Sequence, residues 1–244
     1  TSSSSDAETK PNDNFVNEEL KENIIDDNYR NYYEIFVASF ADSNGDGVGD
    51  LNGITAKLDY LASIGYTGIW LTPIFASPSY HKYDTTDYFR IDQSFGTMAD
   101  LKNLVKEAHK RNIKVILDGV FNHTGYYNDW FNQALLAKRK QALNQTLTEE
   151  EKNYASLYVF YDSLDEANKS GRKYYKAGGN DFYYEGNFAS DMPELNFKSE
   201  FTYTKIKEVI DFYMADDINI DGFRLDAVKY YDLGDNDSNV RILS

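Results

Sequence analysis

Apolar positions along this chain follow two rhythms that alternate. The run Tyr33-Glu34-Ile35-Phe36-Val37-Ala38-Ser39-Phe40 is rich in β-branched and aromatic side chains and predicts a strand. Ile54, Leu58, Leu61 and Ala62 then fall at i, i+4, i+7 and i+8, the stripe of an amphipathic helix. The pair repeats. Gly68-Ile69-Trp70-Leu71 predicts a second strand, and Leu101, Leu104, Val105 and Ala108 a helix ending near Arg111. Ile113 to Asp118 predicts a third strand, Ile206, Val209, Ile210 and Tyr213 another helix, and Ile218 to Asp226 a fourth strand. Strands apolar almost throughout, alternating with helices, imply a parallel sheet covered on its faces.

Between residues 124 and 199 the alternation stops. This stretch is rich in Tyr, Asn, Asp and Gly and too long for an ordinary connection, so it reads as an inserted subdomain. Its first part, Trp130 to Ser156, has helix-forming composition, and Tyr174 to Asn187 has the glycines and aromatics of short strands and turns. The expected organisation is a polar segment over 1–30, a β/α series over 31–123, the insertion over 124–199, and the resumed series over 200–244.

Polar groups gather where the predicted strands end. Arg224 and Asp226 are two apart, and alternation along a strand puts them on one face. A guanidinium beside a carboxylate keeps it ionised, which suits a nucleophile; a structural ion pair is the plainer alternative. Asp118 closes the third strand, with His123 just beyond it. In parallel α/β architectures, ligands and catalytic groups sit at these carboxyl ends.

Composition narrows the ligand. The 244 residues carry a net charge of -15, which argues against nucleic acid, since binding that polyanion needs Lys and Arg to replace counterions. Aromatics make up 16% of the chain, including 21 tyrosines, and flat amphipathic rings suit the faces of sugars, although most must simply fill the fold. With no cysteine there are neither disulfides nor thiolate metal sites, and no apolar run is long enough for a membrane span. The serine-rich start resembles a tether left behind a signal or lipid anchor, so a secreted or cell-surface protein is expected.

Asp42, Asn44, Asp46 and Asp50 stand at positions 1, 3, 5 and 9 of a loop with glycine at 6 and Val48 at 7, the donor order of an EF-hand. Ca²⁺ needs such a density of hard oxygens. The departure is position 12, where Gly53 replaces the bidentate glutamate. The alternative is a turn of solvated acids.

Several of these motifs occur together and in order. Asp118-Gly119-Val120-Phe121-Asn122-His123, Gly222-Phe223-Arg224-Leu225-Asp226-Ala227-Val228-Lys229, Met192-Pro193-Glu194-Leu195-Asn196 and Ser79-Tyr80-His81-Lys82-Tyr83-Asp84 resemble signature segments of the α-amylase family of glycoside hydrolases, glycoside hydrolase family 13. The resemblance runs from about Tyr32 to Tyr230. It implies a (β/α)8 TIM barrel that hydrolyses α-glucosidic bonds with retention, here as the first four β/α units plus a domain inserted after strand three. By the same resemblance Asp226 is the nucleophile, Arg224 its electrostatic partner, and Asp118 a structural group beside it. Tyr83 stacks on the sugar with Asp84 next to it, His123 donates to a sugar hydroxyl, and Lys229 serves the leaving-group side.

Ala227 and Lys229 resemble α-1,4-acting amylases of starch-like glucans, while Tyr230 departs from the histidine usual beside that lysine. Relatives carry a loop like Asp42–Asp50, and Asn122 resembles an asparagine of a second calcium site. The acid/base glutamate of the family belongs on a fifth strand and has no match here, so the C-terminal half of the same enzyme is an expected partner and these residues alone are expected to be inert. The competing expectation is a non-catalytic amylase-like barrel used for glucan or protein binding.

Overall fold

The computed structural model describes residues 30–232 together with Asp235, Asp237 and Asn239; the expected polar segment 1–30 lies outside the described residues except for Arg30. In chain order the elements are β1 (Tyr32–Ile35), the single helical turn α1 (Val37–Phe40), α2 (Leu51–Ser63) and β2 (Gly68–Leu71). A hairpin of β3 (Phe75–Ala76) and β4 (Asp87–Ile91) precedes α3 (Met98–Lys110) and β5 (Lys114–Gly119). Then come α4 (Asp129–Ala142), α5 (Glu149–Leu157), β6 (Phe160–Tyr161), α6 (Leu164–Lys169), β7 (Tyr174–Lys176) and β8 (Tyr183–Glu185). The chain continues through α7 (Glu200–Met214), β9 (Gly222–Leu225) and a 3₁₀ turn, Val228–Tyr230.

Four strands form one parallel sheet in the order β1-β2-β5-β9. The helical stripes read from the sequence are the faces that cover it. Leu51, Ile54, Leu58 and Leu61 of α2, and Leu101, Leu104, Val105 and Ala108 of α3, are fully buried together with Ile69, Leu71, Val115 and Leu117 of the strands. Thr97 starts α3 with a capping box closed by Asp100, satisfying two of the N–H groups that a helix end leaves open.

Two expectations about strand length are corrected. The first strand stops at Ile35 and Val37–Phe40 turns helical, because Val37 N donates to Thr72 Oγ1 and Ala38 O accepts from Gly49 N, 2.7 Å away. Tertiary partners override the β-rich composition there. The fourth strand is Gly222–Leu225 and not Ile218–Asp226: Ile218 N bonds Ala215 O, and Asn219 takes a left-handed φ of 62° as the chain leaves α7. Ile218 and Ile220 are buried all the same, which is why they read as strand.

The 124–199 stretch folds as the helices α4, α5 and the short α6 beside a three-stranded antiparallel sheet, β6-β8-β7. It is built on aromatics. The Phe131 ring meets Tyr158, Tyr184 and Tyr126 at 4.9, 5.2 and 5.1 Å, in edge-on arrangements favoured by ring quadrupoles. A short bridge from His123 to Glu194 ties it back to the segment just past β5, and a second, Tyr158 to Leu195, closes it on itself.

Candidate active site

Register decides which polar groups meet. Asp118 on β5 lies directly opposite Arg224 on β9, and Trp70 on β2 is opposite Ile116, so Trp70, Asp118 and Arg224 occupy one face. The Arg224 guanidinium stacks over the Trp70 ring at 4.9 Å. Its Nη1 donates to Asp226 Oδ1 at 2.5 Å and to both Asp118 oxygens at 3.3 and 3.4 Å. One cation thus serves two carboxylates at neighbouring strand ends. Asp226 N is held by Gly119 O at 3.1 Å, and Ala227, at φ 54°, turns the chain sharply away immediately afterwards. Left-handed backbone at a residue with a side chain is a local cost that anchors the carboxylate at the tip of the strand.

The two aspartates differ in surroundings. Asp118 is 1% exposed, and burial pushes its carboxyl up to about 6 despite Arg224. Tyr83 comes from the long connection between β3 and β4 and donates from its hydroxyl to Asp118 Oδ2 at 3.4 Å. Burial, followed by the negative charge of Asp118 and Asp226, pushes its phenol up to about 12, so it stays a donor.

His123 and Asp84 lie deeper than a sugar-contacting role alone requires. His123 is 2% exposed, with Nε2 3.1 Å from the Tyr83 carbonyl and Nδ1 3.2 Å from Asn122 Nδ2, an arrangement that fits the neutral Nε2–H tautomer. Asp84 is 3% exposed and accepts from Ser77 Oγ at 2.5 Å and from Ser79 Oγ, organising the loop that carries Tyr83. On the far side Phe188 bridges His123 and Tyr230, its ring 5.3 and 4.9 Å from theirs, and Lys229 Nζ lies 5.1 Å from the Tyr230 ring. The sequence reading did not place Trp70 or Phe188 at the site. Trp70 shares the inward parity of its strand and could have been found from register; Phe188 lies in an irregular segment with no such periodicity.

Burial lowers the His123 imidazole to about 4. A base depressed on folding contributes stability that is fully present above its unfolded value of about 6.5 and is lost as pH falls toward 4, on the order of 3 kcal/mol over that window. Asp118 acts in the opposite sense between about 4 and 6, because its folded form retains the proton. The expected result is therefore read as a difference: the stability curves of wild type and His123→Gln, by urea denaturation, should draw together as pH drops from 6.5 to 4. A constant gap would mean that the imidazole is not held neutral.

The Asp42 loop is built from side chain to backbone bonds. Asp42 accepts from the amides of Asn44, Gly45 and Gly47, Asn44 from Asp46 N, and Asp46 from Val48 N, at 2.7 to 3.0 Å. Gly45 and Gly47, at φ 82° and 90°, supply the left-handed turns. Asp50 caps α2 through Gly53 N and takes Ser43 N and Oγ on its other oxygen, so it, like Asp42, has both carboxylate oxygens already engaged. Asn122 Nδ2 donates to Glu194 Oε2 at 2.6 Å, while its Oδ1 is buried with no hydrogen-bond partner. Burial pushes Glu194 up to about 8, and its bonds go to Asn122 and Asn187.

Comparison with known proteins places this geometry in a family. Residues 34–241 match the α-amylase catalytic domain. Alpha-amylase 3 of Dictyoglomus thermophilum is 41% identical over 216 residues, covering 87% of this chain and 39% of that protein. An oligo-1,6-glucosidase of Bacillus cereus is 36% identical over 206 residues, covering 81% and 34%. Among solved structures, Eubacterium rectale Amy13B superposes with a TM-score of 0.80 at 42% identity over 89% of this chain and 41% of its own. The chain thus spans less than half the length of these relatives. Their architecture is a (β/α)8 barrel, and the four parallel strands described here are its N-terminal part. The chain belongs to the α-amylase family of glycoside hydrolases, glycoside hydrolase family 13.

Proposed function

We propose that this segment supplies the nucleophile side of a retaining α-glucan hydrolase that cleaves α-1,4 bonds of starch-like polysaccharides. The observation that carries the reading is the Arg224 guanidinium held between Asp226 and Asp118 at adjacent strand ends. Retention needs one carboxylate to attack the anomeric carbon and a second carboxyl group, about 5 Å away, to protonate the leaving oxygen. Asp226 is the attacker, its carboxylate bonded by Arg224 Nη1. Tyr83 packs on the sugar, His123 donates to one of its hydroxyls by exchanging its bond to the Tyr83 carbonyl, and Asp84 braces their loop. Lys229 serves the leaving-group side.

The general acid belongs to a C-terminal half outside these residues. Supporting this, β1 and β9 each pair on one side only among the described residues. A 360 Å³ apolar groove beside β9, lined by Phe121, Ile206, Ile210, Leu225 and Tyr231, offers a docking face for that half.

Oligo-1,6-glucosidases among the relatives support a second reading, cleavage of α-1,6 bonds. The product profile of the intact enzyme on amylose, pullulan, cyclodextrin and isomaltose separates the two. Release of maltooligosaccharides from amylose with no action on isomaltose supports the α-1,4 reading; the reverse overturns it, and no hydrolysis of any favours the non-catalytic barrel.

Calcium and export complete the proposal. Asp42, Asn44, Asp46, Asp50 and the Val48 carbonyl would be the hard-oxygen donors to Ca²⁺ and would brace the start of α2; among the described residues no three carboxylates are gathered as for a metal, and the acids of this loop bond its own amides, so the ion would have to draw them together. The melting temperature of the calcium-loaded enzyme should fall on chelation, because an ion bound only by the native state stabilises it by mass action. No thermal shift with EDTA counts against the site. Asn122 as a second-site ligand rests only on its unpartnered carbonyl oxygen. Among the described residues no helix is long and apolar enough to cross a membrane, and secretion or surface attachment is tested by fractionating the source cells.

A further inference from the structure

The loop that carries Tyr83 contains an anomaly. Lys82 adopts a left-handed backbone, φ 65°, a conformation that glycine takes without strain and a lysine does not. Its side chain is not spread into solvent. Only 13% exposed, it passes near the Phe95 ring, 5.7 Å from Nζ to the centroid, and ends 3.2 Å from Asp92 Oδ2 and 3.2 Å from the Ser77 carbonyl.

Asp92, just past β4, is equally buried and is itself fixed by Ser77 N, Ser94 N and Ser94 Oγ. The Lys82 amide donates to Ser79 Oγ, which bonds Asp84. The loop is therefore closed from both ends onto one ammonium. The next residue is Tyr83, whose hydroxyl faces Asp118 and whose carbonyl faces His123.

We infer that Lys82 is a positioning residue of the active site, clamping residues 77–84 onto Asp92 so that Tyr83 stands against Asp118. The inference rests on the active-site reading above for its catalytic consequence, but not for the clamp itself. Lys82 touches none of the reacting groups; it acts through Tyr83. A cation buried beside a carboxylate and a carbonyl restrains a loop better than a backbone turn alone, since lifting the loop separates the ammonium and carboxylate from each other.

The test uses the intact enzyme with Lys82→Gly, Lys82→Met and Lys82→Arg, each alone and with Tyr83→Ala. Glycine relieves the backbone and removes the ammonium, so it separates the two explanations for lysine here. Lys82→Gly and Lys82→Met should each lower kcat/KM about tenfold or more, because small misplacements of positioning groups are costly. Lys82→Arg should recover part of the loss. In the Tyr83→Ala background neither should lower it much further, the non-additivity expected of residues acting in one unit.

Hydrogen exchange of the amides of 79–84 gives a readout independent of catalysis, and it should speed at least about tenfold in the glycine and methionine variants. Unchanged exchange and unchanged kcat/KM in Lys82→Gly overturn the clamp. Fully additive losses with Tyr83→Ala overturn the route through Tyr83. A wild-type enzyme without glycosidase activity sinks the functional reading, while the exchange comparison still decides whether the clamp exists.

Discussion

Asp226→Asn in the intact enzyme is expected to lower turnover on soluble starch at least about a thousandfold while leaving maltooligosaccharide affinity nearly unchanged. The substitution preserves shape and removes the negative charge. A nucleophile contributes mainly at the transition state, so its loss appears in turnover and hardly in ground-state binding. Arg224 sharpens the expectation. Its Nη1 now balances Asp226 and Asp118 together, and with the first neutral it retains the second, so the fold has little reason to respond. Steady-state kinetics with isothermal titration of a maltooligosaccharide checks both halves. Turnover within tenfold of wild type would remove Asp226 from the nucleophile role.

Gly53→Ala should destabilise the protein by about 3 kcal/mol or more, although alanine is the better helix former by about 1 kcal/mol. Gly53 sits in the first turn of α2, and a Cβ there would lie 1.9 Å from the Ala41 carbonyl oxygen and 2.6 Å from its carbon. Backbone cannot swing aside like a side chain. Moving Ala41 O also breaks its 2.9 Å bond from Asp50 N, the residue that caps the helix through Gly53 N. Overpacking therefore outweighs propensity. Urea denaturation decides it: a variant as stable as wild type would disprove the backbone-on-backbone crossing. The same contact explains why the Asp42 loop lacks an EF-hand glutamate at its twelfth position, since no side chain fits there.

Legibility followed the distance over which each feature is decided. The α2 and α3 stripes were plain because burial of one helix face imposes its period within a few turns. The aromatic content suits sugar-stacking surface, but Tyr88, Tyr158, Tyr184 and Tyr213 are buried, with hydroxyls bonded to Val120 O, Thr124 Oγ1, Ser190 O and Tyr88 O. A tyrosine looks the same in sequence whether its ring faces a ligand or its own core. The ends of β1 and β9 are illegible for a related reason. Val37, Ile218 and Ile220 are buried as strand residues would be, but their amides donate to Thr72 Oγ1, Ala215 O and Tyr213 O.

What the residues alone determined was the alternation of β1, α2, β2, α3, β5, α7 and β9, without the β3-β4 hairpin, and the closeness of Arg224 and Asp226. All of these rest on periods of 2 or 3.6 that act within one element. Tertiary structure alone decided that Asp118 sits in register with Arg224, that Trp70 lies beneath the guanidinium, that Phe188 leans on His123, and that Lys82 reaches Asp92. Each of those joins segments that meet only after loops close, and the register and packing that close them are set by the whole core rather than by any local run of sequence.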